Sequence, residues 1–114
     1  MLSRIPSSFR LFGEKISVVF SEEYFTSEHL EATGFASYRS NKIILKPSTK
    51  SYPLNDDQIE QTFLHELMHF ILYYAGDAYE PKEGLYMHQN EGFVNMCASL
   101  LHQAMTTAEF SNET

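Results

Sequence analysis

Cysteine is nearly absent from this sequence: its 114 residues contain one, Cys97. A lone thiol rules out an intrachain disulfide and a thiolate zinc cluster, and it suits a reducing compartment. Basic residues are also scarce. Eight Lys and Arg stand against fifteen Asp and Glu, for a formal net charge of −7. A nucleic-acid binder presents a basic face, so no direct nucleic-acid partner is expected. The overall balance still leaves room for a local basic patch such as Arg39 with Lys42 and Lys46. Long apolar runs are missing too. The longest, FILYYA (Phe70–Ala75), is far too short to span a membrane. Pro6, Ser7 and Ser8 interrupt the N-terminal stretch where a signal peptide needs a continuous apolar segment. The expectation is a cytoplasmic chain without leader or membrane anchor. Internal repeats and low-complexity segments are lacking. What remains is ordinary globular composition, 43% hydrophobic and 20% charged, in a length that suits one domain with a modest core. Residues 1–114 are read as a single domain, with 1–14 and 106–114 as flexible ends.

The hydrophobic pattern divides the chain in two. KISVVF (Lys15–Phe20) is rich in β-branched and aromatic residues and predicts a strand. SEEYFTSEHLEATG is mixed and is read as holding a short helical turn. FASYRSNKIILKP predicts two short strands joined near Arg39–Ser40–Asn41, where Ser and Asn suit a tight turn, and Pro47 closes the second. After the polar loop STKSYPLN the period changes to that of a helix. Asn55 and Gln58 are spaced as a capping box, and Asp56 and Asp57 put negative charge in the first turn. Ile59, Phe63, Leu64, Leu67, Phe70 and Ile71 follow at helical spacing, and Gly76 offers a stop. The second half of this helix is apolar almost all round, which predicts a buried, central position. GDAYEPKEGLYM reads as a loop long enough to be a functional flap. A second helix begins near His88 to Asn90, with Glu91, Val94, Ala98, Leu101 and Met105 on one face. The predicted class is α+β, a small sheet with a β-hairpin packed on two main helices.

The chemistry lies in TFLHELMHF (Thr62–Phe70). Four residues along a helix advance about 40° past a full turn and about 6 Å along the axis, so His65 and His69 project from one face. Two imidazoles so placed can hold one Zn²⁺. Glu66 points about 100° away from His65. It is badly placed to join both histidines on the metal and well placed to take a proton from a metal-activated water, which is the logic of H-E-x-x-H. A catalytic zinc needs a third protein ligand. His29 is placed by no pattern. His102 lies on nearly the same face as Glu91 but about 16 Å further along, so the two cannot share an ion. His88 and Glu91 remain. A carboxylate on an apolar stripe is costly unless paired or metal-bound, which favours Glu91, with His88 as the other candidate. His88, Tyr74, Tyr79 and Tyr86 are candidates to stabilise an oxyanion.

Each residue also has a plainer reading. HELMH can arise by chance in a buried helix, although unpaired His and Glu there would be expensive. Tyr73 and Tyr74 suit core positions, Cys97 a small core site, the acids of 77–83 a solvated surface, and His102 a surface histidine.

HELMH followed by EGFVNMCASLL resembles the small gluzincin-type metallopeptidases of the ImmA/IrrE kind, in which an HExxH helix is followed by a helix opening with a ligand glutamate in a pattern like E-x-x-A-N-x-F-A-x-x-L. The matching positions are Glu91, Val94, Asn95, Cys97, Ala98 and Leu101. Val94 and Cys97 stand where alanine and phenylalanine are usual, and Met68 where many members have glycine. The resemblance implies a zincin-like minimal metallopeptidase domain in which His65, His69 and Glu91 bind Zn²⁺ and Glu66 is the general base. It further implies a peptide held by strand addition along the GFASYRS strand, and a protein or peptide substrate, in some members a repressor-type regulator. The alternative is a non-catalytic zinc-binding regulatory or interaction protein of phage or mobile-element type. A metal-free interaction domain is the third reading.

Overall fold

The structure, a computed structural model, describes residues 5–25, 32–78 and 89–111. Four strands, β1 (Ser8–Leu11), β2 (Glu14–Phe20), β3 (Gly34–Ser37) and β4 (Lys42–Leu45), precede two helices, α1 (Asp56–Ala78) and α2 (Glu91–Thr107). The class is α+β, as the change of hydrophobic period predicts. The strands form one sheet in the order β1-β2-β4-β3, with β2 and β4 parallel and the two outer pairs antiparallel. Among the described residues, β1 and β3 are therefore the edges.

Two hairpins set the register. Phe12 and Gly13 join β1 to β2 with φ of 51° and 81°, the paired positive values that suit a two-residue hairpin loop. Ser8–Leu11, which the sequence reading leaves in the end segment 1–14, is paired to Glu14–Ser17. The β3–β4 hairpin falls where expected. Asn41 takes φ 52° in its turn, and the Ser37 and Ser40 hydroxyls lie 2.6 Å apart across it. In the mixed segment a single 3-10 turn forms at Glu23–Phe25.

α1 starts at the predicted capping box. The Asn55 amide donates to Gln58 Oε1 at 2.9 Å, and the Gln58 amide donates to Asn55 Oδ1 at 2.8 Å. Each satisfies a backbone donor that the first turn leaves without a partner. The helix continues through Gly76 to Ala78, two residues past the predicted stop. α2 is capped by Asn90, whose Oδ1 accepts from the Phe93 amide at 3.0 Å. The core joins one sheet face to α1: Ile16, Val18, Ile43 and Leu45 meet Phe63, Leu64 and Phe70, with Ala98 from α2. α1 thus lies between the sheet and α2, and the polar residues of its middle turns face both. No described helix is long and apolar enough to cross a membrane.

Candidate metal centre

His65 and His69 lie on successive turns of α1, and Glu91 opens α2. The Asn90 cap fixes the first turn of α2 and turns Glu91 toward α1. Its carboxylate straddles the two imidazoles: Oε2 is 3.0 Å from His65 Nε2, and Oε1 is 2.8 Å from His69 Nε2. One donor atom from each of the three residues lies within 4.8 Å of the other two. Two imidazole nitrogens and a carboxylate oxygen converging at this spacing could hold a metal ion. His69 is buried and His65 half-buried, whereas Glu91 is largely exposed. The trio is therefore anchored on α1 and open to solvent on the α2 side.

Glu66 stays out of the trio, as the 100° offset requires. It is 8% exposed, and its pKa is pushed up to about 8, first by burial and then by the Glu91 carboxylate. Gly34, on edge strand β3, comes so close to it that a Cβ there would lie 3.0 Å from Glu66 Oε2 and 2.6 Å from Thr62 Cγ2. The absence of a side chain at position 34 lets β3 cross directly over the Glu66 turn.

Two grooves meet at Glu66. One, of about 400 Å³, runs between β3 and the start of α2 and is lined by Gly34, Phe35, Ala36 and Tyr38 together with Glu66, His69 and Glu91. The other, of about 370 Å³, continues past His65 between Tyr52, Gln58, Gln61, Thr62, Asn95 and Ser99. A linear chain laid along the β3 edge would therefore pass Glu66 and His65 with lined space on either side.

Comparison with family models, curated proteins and solved structures finds no match.

The predicted site residues divide plainly. His65, Glu66, His69 and Glu91 are brought together. Tyr74 is not: its hydroxyl donates to Asn41 Oδ1 at 2.9 Å and its ring meets Phe12 and Phe70. His29, Tyr79, Tyr86 and His88 lie outside the described residues, as does most of the expected flap. His102 is not a surface histidine. It is 6% exposed and faces Asp57 and Glu60 of α1, a group apart from this one. Sequence reasoning missed Tyr38, which lines the groove with Glu66, His69 and Glu91 and stacks on Tyr73 at 4.3 Å between ring centroids. Burial pushes its pKa up to about 12, aided by the Glu66, Glu91 and Tyr73 charges, so its hydroxyl keeps its proton at neutral pH. A tyrosine just after a predicted edge strand was the available signal.

Proposed function

We propose that the chain is a zinc-dependent metallopeptidase of the small gluzincin kind, resembling ImmA/IrrE, that hydrolyses a peptide bond of a protein substrate in the cytoplasm. The observation that carries this reading is the convergence of His65, His69 and Glu91 donor atoms beside a buried Glu66 that is not one of them. Zinc, when bound, supplies a water of lowered pKa and polarises the scissile carbonyl.

The chain's own residues do the rest. His65 and His69 would hold the metal from α1, and Glu91 would supply the third ligand from the exposed side. Glu66 accepts the proton of the attacking water and hands it to the leaving amine. Burial and the Glu91 charge raise its pKa in the metal-free chain, and a cation held beside it would favour the ionised form that a base needs. Tyr38 donates its hydroxyl to the developing oxyanion. β3 ends the strand order of the described sheet, so an extended substrate would add beside it as a further strand and bring its scissile bond over Glu66. Single-cysteine composition supports the compartment, and the open grooves support a protein or peptide partner, such as a repressor-type regulator.

The test pairs wild type with Glu66→Gln and Glu91→Ala on a proteome-derived peptide mixture, with cleavage read by mass spectrometry and zinc counted per chain. Cleavage in wild type only, with zinc kept in Glu66→Gln and lost in Glu91→Ala, is the expected result. A wild type that holds zinc yet yields the same peptides as Glu66→Gln overturns the enzyme reading in favour of a non-catalytic zinc-binding regulator.

A further inference from the structure

A second polar group lies on the same pair of helices. Asp57 and Glu60 are three residues apart on one face of α1, and His102 faces them from α2. Glu60 is 2% exposed and His102 is 6% exposed. Neither Glu60 carboxylate oxygen has a hydrogen-bond partner, and neither has His102 Nε2. The atoms are nonetheless close: His102 Nε2 is 3.2 Å from Asp57 Oδ1 and 3.7 Å from Glu60 Oε1. One donor atom from each residue lies within 4.8 Å of the other two. They converge on a common point without the alignment that hydrogen bonds need.

Buried carboxylates without partners are expensive and rare. Direct contact with His102 does not resolve this case: its Nε2 is 3.7 Å from Glu60 Oε1, and both Glu60 oxygens remain without a hydrogen-bond partner, although the Asp57 carboxylate is largely exposed. A divalent cation with a neutral imidazole balances the charge and satisfies all three residues at once. The spacing agrees: ligand atoms at about 2.0–2.1 Å around a tetrahedral ion sit about 3.3 Å apart. The donor set selects the metal class. One imidazole with carboxylates suits borderline ions of the zinc class, whereas calcium and magnesium take all-oxygen sets.

We propose that Asp57, Glu60 and His102 form a second divalent-metal site that clamps the start of α1 to the end of α2. It is no part of a two-metal centre, whose ions sit about 4 Å apart. Asp57 precedes His65 by about 12 Å along α1, and His102 follows Glu91 by about 16 Å along α2. The clamp ties residues distant in sequence at the end of the helix pair away from His65, His69 and Glu91. Its role is structural, and it stands independently of the peptidase reading.

The experiment strips metal from wild type, Asp57→Asn, Glu60→Gln and Glu91→Ala, reloads each with Zn²⁺, removes the excess, and measures zinc per chain and Tm. Asp57 is largely exposed, so Asp57→Asn folds as wild type does. Glu60→Gln keeps the buried volume. The expected result is two ions in wild type and one in each variant. In a separate melt with free zinc restored to a hundred times its Kd, Glu91→Ala should still gain on the order of 10 °C in Tm over its metal-free form, and adding Asp57→Asn to it should abolish that gain. A wild type holding one ion that Asp57→Asn loses and Glu91→Ala keeps also supports the clamp, while removing the first centre. A zinc content and zinc-dependent Tm unchanged in both Asp57→Asn and Glu60→Gln overturns the clamp.

Discussion

Gly34→Ala is the sharpest mechanical test of how the site is built. Gly34 has no positive φ, so a side chain there costs contact energy and not backbone strain. The new methyl would lie 2.6 Å from Thr62 Cγ2 and 3.0 Å from Glu66 Oε2. Ordinary carbon contacts need about 3.5–4.0 Å, so the methyl must gain about 1 Å of clearance from Thr62. Thr62 cannot simply rotate, because its hydroxyl donates to the Gln58 carbonyl at 2.9 Å. Either β3 moves off α1 or the Glu66 turn is displaced. Overpacking of this kind costs about 1–3 kcal/mol, a fall in Tm on the order of 10 °C at this chain length. If the chain is the proposed peptidase, a 1 Å displacement of its base costs roughly 100-fold in kcat with zinc retained. Gly92→Ala is the control: its methyl meets only Asn90 Oδ1, at 3.6 Å, and helix propensity gains up to about 1 kcal/mol. The two variants are expected to move in opposite directions in urea and thermal unfolding. Thr62→Ser, which removes Cγ2, should recover part of the Gly34→Ala loss in the double variant. A Gly34→Ala chain as stable as wild type would refute the close crossing of β3 over α1.

The remaining predictions are briefer. In chelator-treated protein, folding raises the Glu66 pKa from its ordinary 4.5 to about 8. The folded chain therefore binds the extra proton between those values, and stability falls as pH rises through that window. From about pH 5 to pH 7 wild type should lose about 2–3 kcal/mol relative to Glu66→Gln in urea titrations, and parallel curves would sink the idea. If the chain is the proposed peptidase, Tyr38→Phe should lower kcat by about 100-fold with zinc content and KM little changed, as loss of an oxyanion donor would require; a change confined to KM would assign the hydroxyl to binding. Asn55→Ala should cost about 1 kcal/mol of stability through loss of the α1 cap, read by urea unfolding.

Those residues show how far the sequence could be read. The α1 cap, the hairpin at Asn41 and the His65–Glu66–His69 geometry were legible because each depends on spacing within a few residues. Glu91 was legible because a carboxylate on an apolar stripe demands a partner. The same rule, applied evenly, would have found the second group. Glu60 precedes Phe63 and Leu64 by a turn, and His102 shares the inward face of Glu91, yet a lone histidine far from a motif reads as surface. Gly34 and Tyr38 were hidden for a different reason. Their roles depend on which strand edge crosses which turn of α1, and that is set by the strand order β1-β2-β4-β3, which no local pattern encodes. β1 was missed because Phe12, a bulky residue, takes the positive φ usually left to glycine or asparagine.

The two groups together make metal part of the stability argument. Phe63, Leu64, Val94 and Ala98 are buried along the two helices, but so are Glu60, Glu66, His69 and His102. A domain of this length has a small margin of stability, and burying several ionisable groups along one pair of helices works against it. Bound cations would turn that liability into cross-links, since ligand binding to the folded state alone stabilises it in proportion to the logarithm of metal concentration. Chelation is therefore expected to lower Tm in wild type by more than in a Glu91→Ala or an Asp57→Asn chain, each of which has already lost one contribution. The two differences should add, because the groups are about 12–16 Å apart along the helices and share no ligand. Equal Tm with and without chelator in wild type would mean that the helix pair bears its buried charges unaided, and both metal assignments would fall together.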